Sequence, residues 1–249
     1  MVVLLAAGGI AYVVLSDSAT PVDVEEAVER YRDDGDATSS TTTAPARQLP
    51  AEGVYVYATE GDERIDILGG STHGYPVETT VTIRHTACGL TQRWAPLDER
   101  WDEEEVCTTD AGRERRSLRT HHEFFGISDD ADFTCEAGYL LFPAEPEVGD
   151  TWTTSCDSGD TLLTGTAEVV ELEARTVGGQ RVDTVHLRVT EQATGGDDGP
   201  SSDDYWLRTG DGLLVERSST VETRSDSPVG TATYTERFTL RLTSLEPRT

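Results

Sequence analysis

Residues 51–249 alternate apolar and polar side chains with a period of two, in runs bounded by Gly and Asp, which is the pattern of strands buried on one face. Val77, Thr79, Val81 and Ile83 interleave with Glu78, Thr80, Thr82 and Arg84, and Tyr234, Phe238, Leu240 and Leu242 interleave with Thr233, Thr235, Arg237, Thr239, Arg241 and Thr243. Turn signals at Glu60-Gly61-Asp62-Glu63, Gly178-Gly179, Gly195-Gly196-Asp197-Asp198-Gly199 and Gly210-Asp211-Gly212 help divide the region into about ten to twelve strand candidates. Segments 160–176, 180–194, 213–225 and 230–245 exceed the usual length of about five or six residues. Long, one-sided strands in antiparallel order predict a mainly β domain over 51–249, a large curved antiparallel sheet or half-open barrel with an apolar concave face.

The first fifty residues have a different texture. From Val2 to Leu15 no charge interrupts the apolar run. As a helix it would rise about 21 Å against a hydrocarbon thickness of about 30 Å. Residues 1–15 read as a transmembrane anchor truncated at its start. A cleaved signal peptide is the alternative, with Ser16 and Ser18 as a weak small-x-small site but no basic head. Acids at 17, 23, 25 and 26 precede the first basic residue, Arg30, so this flank lacks the basic character expected of the cytoplasmic side and the following domain is placed outside. Within a stalk spanning 16–50, Val24, Ala27, Val28 and Tyr31 predict a short amphipathic helix over 21–33, followed by a linker of low apolar content.

The charge balance narrows the partners. Forty-seven acidic side chains against 20 basic ones give a net charge of −27, which excludes nucleic acid. Every basic residue apart from the five His is Arg, so lysine chemistry is absent, and the lack of Lys and Asn together points to a GC-rich genome. Cys88, Cys107, Cys135 and Cys156 are an even set without the close pairing of zinc ligands, so in an exported domain they predict two disulfides. Proximity favours Cys88 with Cys107 and Cys135 with Cys156, each loop yielding about 3 kcal/mol in the chain-entropy model.

Candidate chemistry is sparse. His122-Glu123-Phe124-Phe125 opens like a zinc-protease helix, but Gly126 stands where the second His is needed. Ser71 and His73 lie among glycines without the G-x-S-x-G elbow and read as a polar hairpin tip. Asp102, Glu103, Glu104 and Glu105 offer paired carboxylates, yet in so acidic a chain such a cluster reads first as a solvated strand. Asp129, Asp130 and Asp132 depart from the calcium-loop spacing. Trp94, Trp101, Trp152 and Trp206 are numerous enough to line a groove, although aromatic residues on alternating strands are commonly core. No residue is assigned to catalysis, a metal or a cofactor.

The apolar start, VEEAVERYR, and the stretches GDTWTTSC, DYWLRTGDGLLVERSS and LRLTSLEP resemble uncharacterised membrane-anchored extracytoplasmic proteins of high-GC Gram-positive bacteria. More remotely, W-x-T, VDTVHLRV and DYWL with GLLVER are similar to lipoprotein-carrier-like half-barrels, which hold acyl chains under a curved sheet; this chain lacks their series of lid helices. Neither resemblance implies a catalytic residue. The reading is a non-enzymatic domain at the cell membrane, single-pass and facing outward, with a binding or envelope role toward an apolar ligand or envelope component. An envelope hydrolase using carboxylates and a secreted carrier of an apolar ligand are the alternatives.

Overall fold

The computed structural model describes residues 17–35, 49–227 and 230–249. The expected anchor, 1–15, and most of the expected linker lie outside these residues. Among the described residues no helix is long and apolar enough to cross a membrane.

Asp23 caps the first helix, α1 (Val24–Gly35), by accepting the Glu26 N–H at 2.8 Å. Glu25 and Glu26 lie in its first turn and Arg32 in its last, the arrangement that the helix dipole favours. Its apolar stripe does not stand free of the domain. Ala27 and Val28, with Val22 just before the helix, pack on Val54. Pro21 bridges to Leu97, and Arg32 donates to the carbonyl of Thr249 at 2.6 Å.

Fourteen strands follow among the described residues. They are β1 (Gly53–Ile65), β2 (Ser71–Gly74), β3 (Glu78–His85), β4 (Gly89–Leu97), β5 (Arg100–Thr109), β6 (Gly112–Phe124) and β7 (Ile127–Cys135). Then come β8 (Leu140–Pro143), β9 (Thr151–Asp157), β10 (Thr161–Val177), β11 (Gln180–Gly195), β12 (Asp197–Arg208), β13 (Leu214–Ser227) and β14 (Gly230–Leu242). Neighbours in sequence are mostly neighbours in the sheet, all antiparallel, as short hairpin connections dictate.

The half-open barrel expected from the alternation is instead closed. β14 pairs with β1 from Tyr57↔Leu242 to Ile65↔Tyr234, which completes a twelve-stranded ring; β2 and β8 lie off it, on β1 and β6. Closure removes the two exposed edges that a half-open sheet would leave. At Gly61, opposite Phe238, the two backbones approach so closely that a Cβ would stand 2.6 Å from the Phe238 Cα.

The shortest seam of the ring is β7 with β9, paired at Thr134↔Asp157 and Cys135↔Cys156 and extended by the Glu136 N–H on the Ser155 carbonyl at 2.9 Å. The second of these pairs is a disulfide, with Cα atoms 4.0 Å apart. Cys88 and Cys107 form the other, tying the start of β4 to β5. Alternate residues of every long strand face inward. Tyr55, Tyr57, Ile83, Leu187, Leu213 and Leu240 are fully buried there.

Candidate functional site

A twelve-stranded ring is wider than apolar side chains of ordinary length fill, since barrel diameter grows with strand number. Part of this interior is occupied by long charged side chains paired with one another. Arg100 forks onto Glu236, Nε to Oε1 at 2.9 Å and Nη2 to Oε2 at 3.1 Å, and its Nη1 bonds Asp102. The other Asp102 oxygen meets Arg217 at 3.4 Å, and Arg217 reaches Asp203 at 2.9 Å. Arg115 bonds Glu104 at 2.5 Å and the hydroxyls of Tyr139 at 2.6 Å and Tyr205 at 3.3 Å. Burial pushes the Asp102 carboxyl up, but the charges of Arg100 and Arg217 outweigh it and hold the group below the ordinary carboxylate range.

Asp102 and Glu104 are therefore not on a solvated strand. The reason is parity. Val106 is buried in the core, and in a strand residues two and four positions away share its face, so 104 and 102 turn inward while Glu103 and Glu105 turn out.

A second chain of contacts runs toward the end of the barrel at which β1 finishes. Glu63, fully buried, takes His73 Nδ1 on Oε1 at 3.0 Å, and on Oε2 it takes His122 Nδ1 at 3.1 Å and the Tyr234 hydroxyl at 3.0 Å. The far nitrogen of His73 meets Asp17 Oδ2 at 2.9 Å, and Asp17 Oδ1 accepts the Phe125 N–H at 2.9 Å. His73 stacks on Phe124 and is buried, where a polar hairpin tip was expected. Burial lowers the His73 pKa, but the two flanking carboxylates, Glu63 above all, outweigh burial and raise it. Burial likewise pushes Glu63 up, yet the hydrogen bonds from His122 and His73 hold it at about 2. With a carboxylate on each ring nitrogen, the imidazolium is the form that satisfies both.

Every carboxylate in this network is neutralised, which suits structure rather than proton transfer. Asp197 is the contrast. Burial and the adjacent Asp129 raise its pKa, while His122 opposes the shift, and burial likewise raises the pKa of Glu191 against the charge of Arg115.

The four tryptophans do not assemble a groove. Trp94 is in the core against Phe238, with its ring N–H on Thr79 at 3.0 Å, and Trp152, half-buried, donates to the Leu140 carbonyl. Trp101 and Trp206 sit on the outer wall, stacked on His121 and His186 and flanked by Arg93 and Arg175. Asp130 and Asp132 are turned to His121 and Arg119. Among the described residues the single group with metal-ligand spacing is Cys88, Glu105 and Cys107, whose thiols are joined in a disulfide.

No protein-family model matches the chain, and no curated protein does. Two solved structures are remotely similar in fold. The hypothetical lipoprotein YmcC from Escherichia coli has 13% identity, with 80% of this chain and 92% of that one covered and a TM-score of 0.32. A putative lipoprotein from Parabacteroides distasonis has 11% identity, coverage of 76% and 95%, and a TM-score of 0.31. Likeness at this level transfers neither a site nor an activity.

Proposed function

We propose that the chain is an extracytoplasmic β-barrel domain, held at the cell membrane through residues 1–15, that binds an envelope component and carries no catalytic centre. The observation that carries the location is the pair of disulfides, one of them across the thinnest seam of the barrel, because such bonds persist in oxidising compartments. Binding rather than catalysis is supported by the interior, where Arg100, Arg115 and Arg217 neutralise Asp102, Glu104, Asp203 and Glu236. The same ion-paired interior speaks against the carrier of an apolar ligand, whose cavity would be lined by uncharged groups.

Protease treatment of intact cells tests the location. Full-length protein in the membrane fraction, cut by external protease after residue 50 and blocked from thiol labelling until reduced, is the expected result. Recovery from the medium with an N-terminus near residue 19 would replace the anchor with a cleaved signal, and four free thiols would overturn export. The hydrolase alternative is favoured by two carboxyls of raised pKa, Asp197 beside Asp129 and Glu191, which burial pushes up. Hydrolysis of isolated cell wall that is abolished by Asp197→Asn would establish that alternative.

A further inference from the structure

Outside the barrel, α1 and the outer faces of β3, β4 and β5 enclose a groove of about 570 Å³. That size is within the usual range for small-molecule sites, about 300–1,000 Å³. In a chain of net charge −27, three guanidinium groups converge on it: Arg30 from α1, Arg84 from β3 and Arg93 from β4. Strand register brings two of them together. Arg84 stands opposite Thr91 and Arg93 opposite Thr82, so the two arginines are diagonal neighbours on one face, about 7–8 Å apart at the backbone.

The three differ in how far the protein satisfies them. Arg30 is hydrogen-bonded to Glu26 at 2.6 Å and Asp98 at 2.8 Å. Arg93 is held more loosely, by an ion pair with Glu103. Its guanidinium lies 3.8 Å from the Trp101 ring centre, and its nearest carboxylate oxygen, on Glu103, is 3.6 Å away. Arg84 gives one N–H to the Tyr31 carbonyl at 2.5 Å, and Asp34 stands off at 3.7 Å. Because a guanidinium carries five donors in a planar fork, most of those on Arg84 and Arg93 have no acceptor among the described residues. Burial pulls the Arg93 pKa below its ordinary value; Glu103 opposes the shift, and Arg119 and Arg30 add to it.

We propose that this groove is an anion site that takes the phosphoryl group of a small molecule between Arg84 and Arg93, with the hydroxyls of Thr82 and Thr91 beside it. A planar carboxylate satisfies one guanidinium fork, whereas a tetrahedral phosphoryl group presents oxygens to two forks at once. Asp33, Asp34 and Glu103 line the same groove and repel extended polyanions, which restricts the site to a single compact group.

Calorimetric titration of the full chain with inorganic phosphate, at constant ionic strength set with chloride, tests this. Saturable one-site binding is expected, weakened at least tenfold by Arg93→Gln and by Arg84→Gln, and unchanged by Arg237→Gln, an exposed arginine of β14 outside the groove. Melting curves establish that each variant is folded. Absence of saturable binding, or equal binding in the Arg84→Gln/Arg93→Gln double variant, would overturn the site. Acetate binding as tightly as phosphate would overturn the phosphoryl assignment.

Discussion

Two regions of the barrel interior are buried to the same degree and held by opposite physics. Around Tyr57, Ile83, Leu187, Leu213 and Leu240 the side chains are apolar, with the Tyr57 hydroxyl satisfied by the Leu214 carbonyl at 2.7 Å. Around Arg100, Asp102, Glu104, Arg115 and Glu236 nearly every contact is a directed ion pair or hydrogen bond. The apolar region gains free energy from leaving water, whatever its partners. The ionic region gains only when each charge meets its counter-charge, because removing charges from water costs several kcal/mol per ion. The first tolerates rearrangement; the second fixes which strands stand opposite one another across a wide ring.

The largest effect is therefore expected where one cation serves several anions. Arg100→Ala leaves Glu236 and Asp102 buried without their shared partner and should cost about 3–5 kcal/mol or prevent folding. Urea unfolding measures it, and a cost below about 1 kcal/mol would mean that the network is wetter than its burial implies. In the apolar region Leu240→Ala should cost about 2–5 kcal/mol through lost burial and a cavity. A double variant of these two sites that is additive would establish the regions as independent; a strongly non-additive cycle would join them into one unit.

Acid and base should act on the ionic region alone. Glu63 is held at about 2, below its ordinary 4.5, so its contribution is complete above pH 4.5 and is lost as pH falls toward 2. A shift of that size corresponds to about 3 kcal/mol. His73 moves the other way: its pKa is raised, so its contribution is complete below pH 6.5 and is lost as pH rises through the folded value. The stability difference between the wild type and Glu63→Gln should thus peak between pH 4.5 and 6.5 and shrink on both sides. The difference between the wild type and Leu240→Ala should stay flat with pH, and a slope there would show that the apolar region titrates as well.

The two regions also differ in how far the amino-acid pattern reveals them. The β14 alternation marks Phe238, Leu240 and Leu242 as inward and skips Glu236, which occupies an inward position by parity although its side chain is charged. The same parity, counted back from Val106, places Glu104, Asp102 and Arg100 inside, a phase masked by the unbroken run of acids from 102 to 105. Closure was out of reach for another reason. A period of two states which face is buried but not which strand lies beside which, so nothing local in β1 announces β14 as its partner. His73 shows the limit most plainly, since its two carboxylate partners are 10 and 56 residues away. The four tryptophans divide for the same reason: parity sends Trp94 inward with Val81 and Trp206 outward with His186.

The smallest expected effect is the sharpest test of the contrast. If the ionic region specifies pairing rather than adding net stability, replacing a connected set of its members with apolar groups of similar size should change stability little, although removing any single member is costly. Arg100→Met, Asp102→Leu and Glu236→Leu together remove one cation and the two anions bonded to it, and leave Arg217 with Asp203 at 2.9 Å and Glu63 with its two histidines. Tyr75, which donates to Glu236, loses its acceptor, so Tyr75→Phe is included to avoid an unsatisfied buried hydroxyl. This quadruple variant should lie within about 1 kcal/mol of the wild type in equilibrium unfolding, against about 3–5 kcal/mol for Arg100→Ala alone. A loss as large as that of the single variant would mean that the ion pairs contribute net stability, and the interior would then be one core in two chemical dialects. Retained stability with slower folding, or with a fraction of mispaired disulfides on peptide mapping, would assign the charges to strand register, the property that the apolar region cannot supply.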